Sequence, residues 1–563
     1  MYKAEYSFFF GQTTWRGAHL HIELISFLKK ESSQTGYKIL IASLIAGISN
    51  GFIIVVINSA SQDYAKLNFR YLLLFVLSVL VLALTRRYTL YQTAAIARAA
   101  LTKTNVRIAD KIRRSNLAIF EHVGKPRILT TLSEGSELIF EASRRAANGA
   151  VAIIMLIFSF AYIAWLSSEA FWLSVVVIVC GTMVYIFNQR TINAELRVSA
   201  RIENEFINSL NHLLEGFKEL KVNREKSEDL FQNYMEKVSS NLREVRMRTE
   251  SRFISNIIYT QVFMMILIAS VVFILPRMAS SSPPLIVSLV AILLFIVGPL
   301  GFVVDAVPVI SEANIAVEKL GEIEKIFDKA DDTAQTSPTG PLQSMETFDS
   351  ITLKRVSFSY TSPDDEKVFS VGPVDLKINK GEIVFFVGGN GSGKTTLVKL
   401  IAGLYYPQHG TLYFDDIPVN MTNYDYYRNF FSIIFSDFHL FDRLYGINNV
   451  DEKRLNTLLN TMELSDKITY SDGKFSNINL STGQRKRLAL VIALMENRQI
   501  YVFDEVAADQ DPGFRKYFYE EVLIELKNQG KTIIVVSHDD RYFHVADRVV
   551  KMDFGIVVEG AMV

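Results

Sequence analysis

The sequence predicts an all-α membrane domain of six transmembrane helices fused to a C-terminal α/β domain of strand–turn–helix units. Two textures carry that reading. Before residue 310 there are repeated unbroken apolar runs of the length a helix needs to cross a bilayer, about 20 residues. Beyond residue 346 short strand-like runs alternate with Gly-containing turns. A mean hydropathy of +0.20 over 563 residues fits a membrane protein better than a string of soluble domains. The lone cysteine, Cys180, has no partner for an intrachain disulfide and belongs to no zinc cluster; it lies in an apolar span and is expected simply to pack. With 59 Lys+Arg against 59 Asp+Glu there is no overall basic excess of the kind that marks a nucleic-acid binder.

In chain order, residues 1–21 form an N-terminal extension whose Phe8-Phe9-Phe10 is too short an apolar core for a secretory signal. Residues 22–30 have the pattern of a surface amphipathic helix. The membrane domain, 22–327, contains runs near 39–57, 71–84, 149–166, 170–187, 257–275 and 285–304. The second and fourth gaps between runs are long and hold twelve Lys+Arg each, whereas the short gaps hold only Lys66, Arg70 and Arg277. That asymmetry places the long gaps and both termini in the cytoplasm. The long gaps carry almost no Pro or Gly and show helical spacing, as in Phe206, Leu210, Leu213, Leu214 and Phe217. Each reads as a pair of helices projecting from the membrane, broken near 121–126 and 214–220. Asp305, close to the Gly298-Pro299 break in the last span, is a candidate cargo contact. A polar Pro/Gly-containing linker, 328–345, then leads into 346–563.

In this second part the strand EIVFFVG runs into GGNGSGKT, with the helical TTLVKLIAGL after it. A strand before and a helix after make the G-x-x-x-x-G-K-[ST] spacing specific for a phosphate-binding P-loop. Gly388, Asn390, Gly391, Ser392 and Gly393 supply a loop whose N–H groups curl around phosphate oxygens. Lys394 reaches the β and γ phosphates, Thr395 offers a hydroxyl to Mg2+, and Thr396 continues into the helix. A second apolar strand, 499–503, closes on Asp504-Glu505. That places Asp504 in the metal shell and Glu505 where it polarises the attacking water. A third, 532–536, closes on Ser537-His538, bringing an imidazole toward the γ-phosphate. These residues predict ATP and Mg2+ as ligands, with Glu505 and His538 as the catalytic pair.

The run LSTGQRKRLAL, taken with these motifs and six preceding spans, resembles an ATP-binding-cassette exporter half-transporter of the type I/IV fold. The resemblance implies a homodimer in which the signature of one copy, Ser481, Gly483 and Gln484, closes over the nucleotide held by the other. It also implies that Tyr360 in VSFSY stacks on adenine, that Asp511 is the interface aspartate of the D-loop, and that residues 121–127 and 214–224 are coupling helices. Where the family has its Q-loop glutamine this chain has Ser436, with Asp437 beside it; either offers an oxygen to the metal, and both are shorter than Gln. Together with LLEGFKELKVNR and FSDFHLFD, these departures resemble the cyclic-peptide and siderophore-peptide exporters of the pyoverdine and syringomycin type.

The resemblance therefore implies ATP-driven export of a cyclic peptide, lipopeptide or peptide siderophore across the bacterial inner membrane. Membrane lipid surrounds the transporter, a periplasmic or outer-membrane export partner is possible, and no nucleic acid is involved. Lipid flipping or multidrug efflux is the alternative, and an ATP-gated sensor without transport a further one. The zero net charge is a cancellation: residues 1–345 carry 35 Lys+Arg against 29 Asp+Glu, and residues 346–563 carry 24 against 30.

Overall fold

The computed structural model describes residues 23–31, 36–62, 69–278, 282–331, 347–361 and 367–558. The N-terminal extension, 1–21, and residues 332–345 of the expected linker lie outside the described residues; 328–331 continue the last helix instead of starting the linker. The chain divides into two compact units, one of Met1–Arg113 with Val123–Ile326, the other of Arg114–His122 with Phe327–Val563.

The first unit is helical. After α1 (Glu23–Glu31) come α2 (Gly36–Gln62) and α3 (Phe69–Arg114). The short α4 (Leu117–Val123), most of which belongs to the second unit, leads back to α5 (Lys125–Leu166). Then follow α6 (Ser168–Glu215), α7 (Phe217–Val222) and α8 (Arg224–Glu228). A π-helical stretch, Asp229–Met235, opens α9 (Glu236–Ala269), and a second, Ser270–Ile274, leads to α10 (Leu275–Met278). The last is α11 (Pro283–Asp331). Among the described residues, six helical stretches are long and apolar enough to cross a membrane, the architecture expected of a chain that must satisfy every backbone N–H and C=O within each segment.

Local chemistry explains the breaks. Gly124, at φ +78, and Pro126 start α5, Pro being well suited to a helix's first turn; α11, by contrast, runs unbroken through Pro299 and Pro308, so the break expected at Gly298-Pro299 is not there. Ser167 alone joins α5 to α6, its hydroxyl accepting from Ala170 N at 3.1 Å. Gly216 separates α6 from α7. Both long polar gaps are therefore helical and interrupted at 124–126 and 216. Gly47 and Gly51 let α2 approach α5 closely: a Cβ there would sit 2.5 Å from Ile154 Cγ2 and 2.3 Å from Phe158 Cδ1. Farther along, Glu324 on α11 pairs with Arg107 and Lys111 of α3, both at 2.7 Å. Cys180, expected to pack, is instead exposed on this chain, as is Asp305.

The second unit is α/β. Strands β1 (Ser350–Thr361), β2 (Lys367–Asn379), β4 (His409–Phe414) and β5 (Ile417–Pro418) form an antiparallel sheet in the order β2-β1-β4-β5. The larger sheet has the order β12-β11-β3-β10-β9-β6. It comprises β3 (Ile383–Val387), β6 (Phe431–Ile434), β9 (Ile500–Asp504), β10 (Thr532–Val536), β11 (Arg548–Asp553) and β12 (Ile556–Val558). All its pairings are parallel except that of β12. A parallel sheet is covered on both faces, so its central strands read as continuous apolar runs rather than alternating ones; IYVFD and TIIVV are buried at every position. Phe385 and Phe386, adjacent on β3, point into separate cores on opposite faces, each burial worth about 1.5–3 kcal/mol. The covering helices include α12 (Lys394–Ile401), α13 (Tyr424–Arg428), α14 (Glu452–Thr461) and α15 (Thr482–Glu496). After β9, α16 (Pro512–Lys516) passes through a π-helical turn into α17 (Leu523–Asn528). A two-stranded hairpin of β7 (Tyr470–Ser471) and β8 (Lys474–Phe475) precedes α15.

Candidate active site

Val536 at the end of β10 pairs with Phe386 of β3 on one side and Asp504 of β9 on the other. The three strands thus end level, and the turns leaving them converge at the carboxyl edge of the sheet, where open α/β sheets bind ligands. They are the glycine-rich loop, Asp504-Glu505 and Ser537-His538.

The loop needs its glycines. Gly388 lies at φ +147, and a Cβ there would meet Met552 O at 2.2 Å; Gly393 lies at φ +99, with Val371 Cγ2 2.9 Å from its would-be Cβ. Gly393 immediately precedes α12, so that helix opens its unpaired N–H groups toward the loop. Lys394 is 5% exposed, and its Nζ donates to Gly388 O at 3.0 Å and Gly389 O at 2.9 Å. Burial lowers its pKa, opposed by the charges of Glu505 and Asp504. The ammonium is therefore held in the mouth of the loop with acceptors that a phosphate oxygen can replace.

Asp504 is 1% exposed. Its Oδ2 accepts from Thr395 Oγ1 at 3.1 Å, while Oδ1 is buried without a hydrogen-bond partner. Burial raises its pKa and the Glu505 charge adds to that; the Thr395 hydroxyl and the Ser436 backbone N–H act the other way. A buried, unpartnered carboxylate oxygen beside a threonine hydroxyl fits a hard divalent cation. Such a cation commonly takes only one or two protein carboxylates and fills its shell with phosphate and water oxygens.

Glu505 sits in the left-handed region at φ +55, a conformation that costs a non-glycine residue about 1–3 kcal/mol. Its Oε1 lies 3.1 Å from His538 Nε2. The histidine's loop is fixed from behind, because Ser537 Oγ is 2.7 Å from Tyr519 OH and accepts from Asp539 N at 3.0 Å.

A cavity of about 460 Å3 is lined by Asn390, Gly391, Ser392, Gly393, Lys394, Thr395, Thr396, Glu505 and Phe369. Phe369 escaped the sequence reading. Its signal is strand register, since Phe369 on β2 is the direct partner of Tyr360 on β1. Tyr360 itself packs edge-on against Phe358 and Tyr405, with centroids 5.2 and 5.8 Å away. Its hydroxyl lies 3.2 Å from Thr396 Oγ1 and donates to Tyr405 OH at 3.2 Å.

The remaining expected residues lie elsewhere on this chain. Ser436 and Asp437 are exposed in the turn after β6. Ser481 and Gln484 close a reciprocal capping box at the start of α15, and Gly483 O accepts from Gln510 Nε2 at 2.9 Å. Asp511 caps α16, accepting from Phe514 N at 2.9 Å, and pairs with Arg487 at 2.6 Å; the Phe514 N–H is the main influence lowering its pKa. None of these six lines the cavity.

Comparison with known proteins agrees with this geometry. The family model described as ABC transporter matches residues 371–508. The chain is 32% identical over 530 residues to the ATP-binding protein SyrD of Pseudomonas syringae pv. syringae, covering 92% of this chain and 93% of that protein. It is 31% identical over 265 residues to an ATP-dependent lipid A-core flippase of Francisella tularensis subsp. holarctica, covering 44% of this chain and 42% of the relative. A third similarity, 32% over 220 residues, is to the energy-coupling factor transporter ATP-binding protein EcfA1 of Mycoplasmoides gallisepticum, over 37% of this chain and 76% of that one.

Proposed function

The chain belongs to the ATP-binding-cassette exporter family, whose cassette binds ATP and couples its hydrolysis to transport. From that premise we propose a homodimer in the bacterial inner membrane, both termini cytoplasmic, that exports a cyclic peptide, lipopeptide or peptide siderophore. The observation that carries the ATPase part is the pairing of Glu505 with His538 at the rim of the Lys394 cavity.

The residues divide the work as follows. Loop N–H groups and Lys394 bind the β and γ phosphates, Lys394 exchanging two backbone carbonyls for phosphate oxygens. Thr395 and Asp504 would hold Mg2+, which supplies charge to offset that of the phosphates. Glu505 accepts a proton from water as the water oxygen bonds to the γ-phosphorus; the bond from that phosphorus to the bridging oxygen breaks, and ADP leaves. His538 holds Glu505 in position. Ser481, exposed at the N-terminus of a 15-residue helix, and Gly483, half-buried two residues on, serve the nucleotide of the second copy, where helix-end N–H groups favour an anion.

The cargo class is supported by the peptide-exporter resemblance of 213–224, 435–442 and 480–490, and by a match to SyrD over 92% of the chain against a flippase match over less than half of it. Lipid flipping is the second reading, favoured by that shorter match. Inverted vesicles containing the protein should accumulate a cyclic lipopeptide when given ATP. Accumulation of labelled lipid A core instead would select the second reading, and ATP turnover that moves neither compound nor any panel drug would overturn export. Mixed dimers test the shared sites. With Lys394→Ala in one copy and Ser481→Arg in the other, one site survives and about half the ATPase remains. With both changes in one copy neither site survives, and equal activity in the two arrangements would refute the homodimer.

A further inference from the structure

The second unit contains a hydrogen-bonded chain that joins the nucleotide cavity to α4. Thr396 Oγ1, in the cavity wall, is 3.2 Å from Tyr360 OH; Tyr360 donates to Tyr405 OH at 3.2 Å; and Tyr405 donates to Glu121 Oε2 at 2.5 Å. Lys399 closes the end of it, donating to Glu121 Oε1 at 3.1 Å and to Tyr405 OH at 3.3 Å. Lys399 lies on α12, one turn beyond Thr396, so the helix that begins at the phosphates also holds Glu121 directly. Tyr405 is 1% exposed and packs face to face on Phe358, centroids 4.6 Å apart. Leu117 and Ala118 of α4 rest on the same core, and Asn116 caps that helix, its Oδ1 accepting from Ile119 N at 3.1 Å. Its position is therefore set by an apolar seat and one carboxylate.

We propose that Tyr405, Lys399 and Glu121 are positioning residues that carry the state of the nucleotide cavity to α4, and through chain continuity to the membrane helices α3 and α5. This rests on the coupled-transport reading above. The family's Q-loop glutamine is replaced here by the shorter Ser436. Directionality supplies the mechanism. Each hydroxyl has one proton to donate; Tyr360 gives its own to Tyr405, so Thr396 donates to Tyr360. A phosphate oxygen, which can only accept, competes for the Thr396 proton and removes the first link. Bonds in such a chain polarise one another, so loss at one end weakens the hold on Glu121 at the other. Burial, then the Glu121 and Tyr360 contacts, push the Tyr405 phenol well above its ordinary pKa, so it stays protonated and keeps donating.

The test uses the full-length protein in nanodiscs, in a Glu505→Gln background with Cys180→Ala and a spin label at Val222→Cys, a position 90% exposed on α7. Saturating Mg-ATP should shift the label-to-label distance across the dimer. Glu121→Ala and Tyr405→Phe should bind a fluorescent ATP analogue within twofold of the parent yet reduce the shifted fraction at least threefold. The double variant should be no worse than the worse single one, the signature of residues acting as a unit, and Glu121→Gln, which keeps an acceptor for Tyr405, should recover part of the shift. Parent-like shifts in both single variants would overturn the relay alone. Loss of ATP binding in both would also overturn it, by making them part of the binding site. A parent that does not move with ATP would bring down the transport reading and the relay together. Should Tyr405→Phe fail to fold, Glu121→Ala decides the matter, since that side chain is 41% exposed and its removal uncovers no core.

Discussion

Replacing Glu505 with Gln separates binding from chemistry more cleanly than any other change in the site. The substitution keeps the side chain's length, its capacity to hydrogen-bond His538 Nε2 and the same left-handed backbone, so the fold has no reason to change. It deletes the base that takes the proton from water, a loss of about 10²–10⁴ in rate, equivalent to about 2.7–5.4 kcal/mol of transition-state stabilisation. It also removes a negative charge that raises the pKa of the buried Asp504. With that repulsion gone Asp504 ionises more readily, and Mg-ATP should bind as tightly as before or more so. Phosphate release by protein in nanodiscs at saturating Mg-ATP, measured beside nucleotide affinity on the same preparation, reads both quantities. Turnover within threefold of the parent would show that Glu505 is not the base. A tenfold loss of affinity would show that its charge is needed for binding, contrary to the electrostatics.

Phe369 lines the cavity where Tyr360, the aromatic expected to stack on adenine, does not; if Phe369 takes the base instead, Phe369→Ala should weaken ATP binding about tenfold, because aromatic stacking on a base is worth about 1–3 kcal/mol, and titration with a fluorescent analogue showing parent affinity would refute that role. Gly51→Ala sets a methyl 2.3 Å from Phe158 Cδ1 and should destabilise the α2–α5 packing by about 1–3 kcal/mol, read as a lower melting temperature in detergent; an unchanged melt would refute the close approach. Asp504, its carboxyl held above the ordinary range chiefly by burial, takes up a proton in the folded chain at a higher pH than when unfolded. Mg2+ affinity in the presence of ATP should therefore fall on acidification sooner than an exposed aspartate would allow, and a profile that stays flat through mildly acidic pH counts against it. For stability the sign is reversed: without metal the ionised Asp504 is a liability at neutral pH that protonation relieves. Asp504→Asn should then melt at or above the parent temperature at pH 7, with the gap closing as pH falls; a lower melt at pH 7 would contradict the burial argument.

The six spans and the three motif-bearing strands were legible because each is a long or doubly buried apolar run whose signal needs no tertiary context. The breaks at Gly124-Pro126 and Gly216 were legible for a related reason, as Pro and Gly act on the backbone locally. Convergence of Lys394, Thr395, Asp504, Glu505 and His538 followed from motif order, and strand register places their turns together. What stayed hidden depends on pairing between distant segments. Phe369 looks like any strand phenylalanine until β2 is set against β1. Nothing near Glu121 in sequence announces a tyrosine 284 positions away, and the grouping of 114–122 with the α/β unit is likewise a contact property. The exposure of Cys180 was illegible for another reason: an apolar span shows which residues avoid water, and leaves open whether they meet protein or lipid.

The altered turn after β6 connects these observations. The serine that stands where the family has its glutamine is the shorter side chain, and Asp437 beside it is exposed. What Ser436 does give is a backbone N–H that acts to lower the pKa of Asp504. A backbone donor opposes the rise that burial imposes and keeps the carboxylate available to a cation, yet it moves only with the strand end and conveys little about nucleotide state. On the relay reading, signalling runs on the α12 side of the cavity, where Thr396 and Lys399 sit one turn apart and Glu121 accepts from both Tyr405 and Lys399.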